Sequence, residues 1–443
     1  MKSAPFLAGR RAALLCLGLA AALAPAWAAS AAHWPEFRGP TGDGHAPAGA
    51  RPPLTWSETN NVKWKTAVHG RGWSSPIVWG NRIWLTTAPD DGRTLHALCL
   101  DATTGKVIHD LKLFDVAAPQ FVHKFNSHAS PSPAIEEGSV YITFGAPGTV
   151  CLDPATAKVR WERRDFECNH FRGAGSSPII WRDLLFLNFD GSDHQFVVAL
   201  DKKTGKTVWR KERSIDFKDL QADGKPKADG DFRKAFATCR VVEIDGAPVL
   251  LSQGANALYA YNPRTGDELW RVEERTSHSG ATRPVFGHGL VYVPTGYAQG
   301  QVLALRPGKP GEVLDANATP APATTLAVAW RSKKGVPKKP SLTLVGDRLF
   351  AVDDIAVASC WDAKTGDVIW SERLGGGFSA APVAAAGRLY LFGEAGKAWV
   401  LAATGTFEKL AENTLDDGCL ASPAVVGNAL IVRTKTHVYR IEE

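Results

Sequence analysis

Asp201-Lys202-Lys203-Thr204-Gly205, with Trp209 four residues beyond the glycine, is a phrase that the chain repeats. It returns as Asp362-Ala363-Lys364-Thr365-Gly366 with Trp370, and with one change as Asn262-Pro263-Arg264-Thr265-Gly266 with Trp270. Two copies are degraded. Asp153-Pro154-Ala155-Thr156-Ala157 with Trp161 lacks the glycine, and Asp101-Ala102-Thr103-Thr104-Gly105 has His109 where tryptophan is expected. The phrase reads as a tight turn between strands: Asp accepts from the backbone N–H groups that follow it, and Gly tolerates positive φ. The tryptophan then opens a strand and offers a large apolar surface to a neighbouring sheet.

A second phrase precedes the first: a proline, mostly after Ser or Ala, then apolar residues, a Gly or Asn/Asp turn and an alternating strand. Its copies start at Pro76, Pro133, Pro178, Pro284, Pro382 and Pro423, with weaker versions near Cys239 and Ser341, which makes eight. Proline is tolerated at the first residue of a strand. Gly80-Asn81-Arg82 and Gly346-Asp347-Arg348 read as hairpin turns between two apolar strands. Each unit is thus one four-stranded antiparallel blade, and self-similarity at this spacing predicts an all-β, eight-bladed β-propeller. Seven blades is the alternative, with one weak unit reduced to an insertion. Fifteen tryptophans suit sheets that must be apolar on both faces.

Outer strands are expected at His109, Trp161, Trp209, Trp270, Trp330, Trp370 and around Leu410. The last unit runs out of chain before its own. Val62-Lys63-Trp64-Lys65 resembles Val368-Ile369-Trp370, so the N-terminal segment is expected to supply that strand and close the ring, which removes exposed sheet edges.

Lys2, Arg10 and Arg11 precede or flank an apolar run, Ala12 to Ala24, that ends in Ala26-Trp27-Ala28. That is the layout of a secretory signal peptide, and the run is shorter than the roughly 20 residues that span a bilayer. The expected organisation is a signal peptide at 1–28, an N-terminal extension at 29–60 and one propeller at 61–443, in a periplasmic or secreted protein without a transmembrane segment. Removing the leader lowers the formal charge from +6 to +3, because it carries those three bases and no acid. So mild a balance gives no case for nucleic acid or a membrane surface.

Six cysteines follow the leader, and export invites disulfides. Cys99, Cys151 and Cys360 each stand two residues before the signature Asp, where Ala199, Ala260 and Ala304 stand in other units. This reads as a small buried strand position occupied by a free thiol. A Cys168–Cys239 bridge and unpaired burial of both remain the two readings for that pair.

The Asp-x-x-Thr-Gly-x-x-x-Trp signature resembles the quinoprotein repeat. Trp34-Pro-Glu-Phe-Arg-Gly-Pro-Thr-Gly-Asp-Gly44, Trp56, Val62-Lys-Trp64-Lys65 and Gly72-Trp-Ser-Ser-Pro76 are similar to those of exported pyrroloquinoline-quinone-binding-like propellers. Such repeats occur both in quinone-dependent dehydrogenases and in the non-enzymatic outer-membrane assembly-factor propeller, so the resemblance implies a fold more than an activity. The dehydrogenases imply calcium, a catalytic Asp and commonly a disulfide between adjacent cysteines. This chain has no Cys-Cys pair and no local calcium motif. Asp353-Asp354 and Asp416-Asp417 read as solvated loop residues. No cofactor is therefore expected, with pyrroloquinoline quinone and calcium as the disfavoured alternative.

Loops that enter inner strands gather at one mouth of a propeller's channel. Here they carry Arg71 and Trp73, His128, His170 and Arg172, and His278 with Arg283. Donors of this kind suit an anionic or hydroxyl-rich ligand; the alternative is a set of structural bonds to neighbouring loops. Ser214 to Lys234 enters the fourth unit at the same mouth as a lid, a partner-binding element or a surface insertion. Arg306 to Thr325 reads as an outer-blade loop. The expectation is a non-catalytic propeller that binds a periplasmic or envelope protein, or a small polar or anionic ligand, at that mouth. A quinone-dependent oxidoreductase acting on an alcohol or sugar and a scaffold in envelope assembly are the alternatives.

Overall fold

Each recurrent phrase closes a sheet, and eight four-stranded antiparallel blades stand around one axis. The computed structural model describes Met1 and residues 33–318 and 327–443; the remainder of the expected signal peptide lies outside the described residues. Blade 1 runs outward through Ile77–Trp79, Arg82–Thr87, Thr94–Asp101 and Val107–Asp115. Blades 2 to 7 begin at the inner strands Ala134–Glu136, Ile179–Trp181, Arg240–Ile244, Val285–Gly287, Thr343–Val345 and Val383–Ala385. The weak units near Cys239 and Ser341 are therefore full blades, 4 and 6, and the count is eight. Blade 8 takes Ala424–Val426, Ala429–Arg433 and His437–Ile441 from the C-terminus and its outer strand, Val62–Ala67, from the N-terminus. Val62 pairs with Ile441 and Trp64 with Arg440, which is the expected latch.

Strand alternation divides each blade between its two neighbours. In blade 1, Leu95, Ala97 and Cys99 pack with Ile135, Val140 and Ile142 of blade 2. Leu98 and Leu100 face the other way, against Leu430, Val432 and Val438 of blade 8. The small position before the signature Asp has a steric cause: Cys151, Ala199, Ala260, Ala304 and Cys360 lie opposite Trp161, Trp209, Trp270, Trp330 and Trp370 on the outer strand. A larger side chain there would compete with the indole for the same face. All six described cysteines are buried and free, so Cys168 and Cys239 are not bridged.

Tryptophan and glycine of the signature meet between blades. Trp161 covers Gly205 of blade 3, Trp209 covers Gly266 of blade 4 and Trp330 covers Gly366 of blade 6. Each indole N–H also donates to a carbonyl of the next blade's turn: Trp161 to Lys202, Trp209 to Pro263 and Trp330 to Ala363, at 2.8–3.1 Å.

The segment before the latch does what its sequence did not announce. His33–Trp34 pairs with Val78 and Trp79 on the inner edge of blade 1, and the chain then crosses the channel. Pro35 O accepts from Ile135 N–H of blade 2, while Gly44 and Ala46 pair with Ala384 of blade 7. Arg38, 1% exposed, donates to Leu342 O at 2.7 Å. The outer-blade loop expected after Arg306 adds Glu312–Asp315 as a parallel fifth strand to blade 4; residues 319–326 are outside the described set. Among the described residues no helix is long and apolar enough to cross a membrane.

Candidate functional site

Residues just before the inner strands form a ring. The backbone N–H of Ser75 donates to Ser132 Oγ, that of Ser132 to Ser177 Oγ, and that of Ser177 to Thr238 Oγ1, at 2.8–2.9 Å. Ala381 N–H donates to Ser422 Oγ in the same way at 2.9 Å. Serine before proline thus links blade to blade as well as opening a strand, because a hydroxyl can accept the N–H that the inner strand leaves unpaired.

This ring encloses a cavity of about 270 Å³ to which every blade contributes. The channel-crossing segment supplies Phe37, and Trp73, Phe125, Phe236 and Tyr297 are further aromatic lining. One wall is cationic. Arg172 Nη2 lies 3.7 Å from Asp231 Oδ2, and Lys234 contacts the same carboxylate and donates to Asp231 O at 2.7 Å. Two cations share one carboxylate. Burial and the Arg172 guanidinium push Lys234 down, to about 7, while its contact with Asp231 acts in the opposite sense. His278 lies beside them with Nδ1 2.7 Å from Ser279 Oγ, and burial, Lys234 and Arg172 hold it down at about 4. The other wall is compensated: Lys339 sits 2.9 Å from Glu394 and 3.6 Å from Asp354.

Of the seven residues expected at the mouth, Trp73, Arg172 and His278 line this cavity. Arg71 stacks over Trp73 at 5.1 Å, on the rim. His128 lies with Arg71 in a separate groove beside Asp90 and Asp91. His170 is buried, and its Nε2 accepts from Ala146 N–H at 3.0 Å. Arg283 occupies a ring position, but its side chain turns to the channel segment: it donates to Phe37 O at 2.6 Å, Cys239 O at 3.1 Å and Glu36 at 2.8 Å.

Sequence reasoning did not single out Lys234, Tyr297 or Phe37. Lys234 was present only as the end of the Ser214–Lys234 insertion. That insertion folds against blade 3, where Gly230 lies on Ser192, and a bidentate Arg233–Asp219 pair closes the insertion on itself. Asp353 and Asp354 are not the solvated residues expected. Asp353 Oδ1 accepts from Ile355 and Val357 N–H, and Asp354 accepts from Lys338 N–H at 2.7 Å.

The family model described as outer membrane protein assembly factor BamB matches residues 48–186, 99–231, 189–329 and 323–435. Among solved structures, BamB from Moraxella catarrhalis superposes with a TM-score of 0.54 at 13% identity, over 86% of this chain and 99% of that one. A europium-containing methanol dehydrogenase gives 0.52 at 13%, over 92% and 90%. The quinohemoprotein alcohol dehydrogenase from Comamonas testosteroni gives 0.50 at 15%, over 94% and 81%. At these identities the likeness is one of fold. No curated protein matches the chain in sequence. With the family model matching from residue 48 to residue 435, well over half of the chain, the chain belongs to the BamB-like family of pyrroloquinoline-quinone-type propellers.

Proposed function

We propose that this is an exported, non-catalytic propeller whose cavity at the mouth of the central channel binds a small anionic ligand or an acidic segment of an envelope protein. The observation that carries this reading is the pairing of Arg172 and Lys234 over a single carboxylate, Asp231. A ligand carboxylate would relieve that excess of positive charge, and guanidinium–carboxylate bonds are among the stronger polar contacts. The hydroxyl ring and the faces of Phe125, Phe236 and Tyr297 would hold the remainder. The family's assembly-factor description agrees with a partner-binding role.

The donor set does not suit a calcium-bound quinone. Calcium takes six to eight oxygen ligands, several of them carboxylates. Here Asp231 is engaged by Arg172 and Lys234, Glu394 by Lys339 and Ser379, and Asp354 by Lys339 and the Lys338 N–H. All six described cysteines are separate and buried.

Tryptophan fluorescence titrations of the full chain with citrate and with acidic peptides test the binding site. Saturable binding that Arg172→Ala weakens at least about tenfold supports it; binding indifferent to Arg172 moves the ligand elsewhere. A dye-linked assay with added quinone, calcium, alcohols and sugars tests the other half. Turnover there would overturn the non-catalytic reading.

A further inference from the structure

His69, His96 and Asp110 converge where the ring closes. His69 follows the latch strand Val62–Ala67, whereas His96 and Asp110 stand on the third and outer strands of blade 1. His96 lies opposite Lys112, so Asp110, two residues along, is its diagonal neighbour on the same face of the sheet. His69 Nε2 is 3.0 Å from Asp110 Oδ2, and His96 Nδ1 is 3.5 Å from Asp110 Oδ1. One donor atom from each residue lies within 4.8 Å of the others.

We infer that these three side chains form a divalent transition-metal site, of the zinc class, that clamps the N-terminal latch to blade 1. Zinc bonds imidazole nitrogen and carboxylate oxygen at about 2.0–2.1 Å, which in a tetrahedron places donors about 3.3 Å apart. Measured to the single oxygen Oδ1 of Asp110, His69 Nε2 at 3.1 Å and His96 Nδ1 at 3.5 Å bracket that value. Two imidazoles with one carboxylate are a borderline-soft set, which selects zinc and its first-row neighbours over calcium or magnesium.

Two further observations point to a ligand. His96 Nδ1 is buried and has no hydrogen-bond partner among the described residues, although it faces Asp110. Its other nitrogen, Nε2, lies 3.1 Å from Thr94 Oγ1. A bond of this kind from the second nitrogen is what fixes the tautomer of a metal-ligating histidine and leaves the first free to coordinate. The backbone is held as well. Thr87 Oγ1 donates to His69 O at 2.5 Å, and Arg71 N–H donates to Ala88 O at 2.7 Å, so His69 and the chain just after it are moored to blade 1. His69 and Asp110 are each about half exposed, at 46%, which leaves a path for the ion and room for water as the fourth ligand.

The test uses the untagged full-length chain, freed of metal with a chelator and titrated with zinc chloride by calorimetry. One equivalent should bind and the unfolding temperature should rise by a few degrees, because a ligand that binds only the folded state stabilises it. Cobalt(II) in place of zinc should show the intense visible bands of a four-coordinate ion. His96→Gln and His69→Gln, each checked for an unchanged circular dichroism spectrum, should weaken zinc binding at least about tenfold and abolish the thermal shift. If the wild type binds no stoichiometric zinc, or if both variants bind as tightly as it does, the site is overturned. Binding without a thermal shift overturns the clamp.

Discussion

Trp64 covers Gly105 so closely that a Cβ on that glycine would lie 2.6 Å from the indole ring. One residue belongs to the latch strand and the other to blade 1, so this contact closes the ring. It is reinforced by Trp64 Nε1–H donating to Ala102 O at 3.2 Å and by Thr66 Oγ1 donating to Gly105 O at 2.7 Å. Gly105 also has φ +72°, in the left-handed region. Gly105→Ala should therefore cost about 3 kcal/mol: about 1 for the backbone and the rest for displaced tryptophan. Gly80→Ala is the control, with φ +56° and open space around its would-be Cβ, and should cost only about 1 kcal/mol. Denaturant midpoints of the two variants read the difference directly.

Arg283 ties the channel segment, through Glu36 and Phe37 O, to Cys239 O at the start of blade 4. Both partners of its ion pair are largely buried, at 2% and 15% exposure. Removing one side of such a pair leaves the other without compensation. Arg283→Gln should lower stability by about 3 kcal/mol, measured by urea unfolding. Glu36→Gln should cost less, about 1 kcal/mol, since the arginine keeps both carbonyls. Equal effects would mean that the carboxylate, not the carbonyls, holds the segment.

His170 predicts an acid weakness. Burial holds its folded-state value down, to about 4, against an ordinary 6.5. As pH falls below 6.5 the unfolded chain takes the proton first, so the stabilising contribution is complete above 6.5 and is lost progressively toward 4. Protonation of Nε2 would also abolish its acceptance of Ala146 N–H. Wild type should lose about 2 kcal/mol more than His170→Gln between pH 7 and 4.5. Urea titrations at the two pH values check this, and equal losses would reassign the acid sensitivity to His278, which burial also holds at about 4.

The fold was legible because its signature is local and its spacing is periodic. Even the two degraded copies make joint sense. His109 stands where the blade 1 tryptophan would reach toward blade 2, and Ala157 stands where the glycine beneath that tryptophan would be. With no indole to clear, a methyl group is tolerated at φ +59°. The site was legible only in part. Trp73, Arg172 and His278 could be placed at the mouth because mouth loops are recognisable by order in the chain, and all three line the cavity. Lys234 was not singled out because it ends an insertion outside the repeat. Arg283 and His170 looked like mouth residues because sequence shows which loop a side chain leaves, not which way it turns. The channel segment had no periodicity to betray it, since its bonds reach single residues on several blades.

Lys234 supplies the sharpest test of the cavity. Burial and Arg172 depress it to about 7, well below an ordinary lysine, and Asp231 resists that change. At pH 6 both cations of the wall are charged; at pH 8.5 Lys234 is neutral and Arg172 acts alone. An incoming carboxylate favours the charged ammonium, so binding is coupled to proton uptake and weakens as pH rises through 7. Citrate affinity should fall about tenfold between pH 6 and 8.5, a difference of about 1.4 kcal/mol in binding free energy. Lys234→Met should bind more weakly at pH 6 and lose the pH dependence, whereas Arg172→Ala should bind more weakly and show its pH dependence at higher pH, because burial alone then depresses Lys234. Calorimetry in two buffers of different ionisation enthalpy should detect the proton taken up by the wild type near pH 7. A pH-independent affinity in the wild type would show that Asp231 keeps Lys234 charged throughout, and the cavity would then be a permanently cationic site.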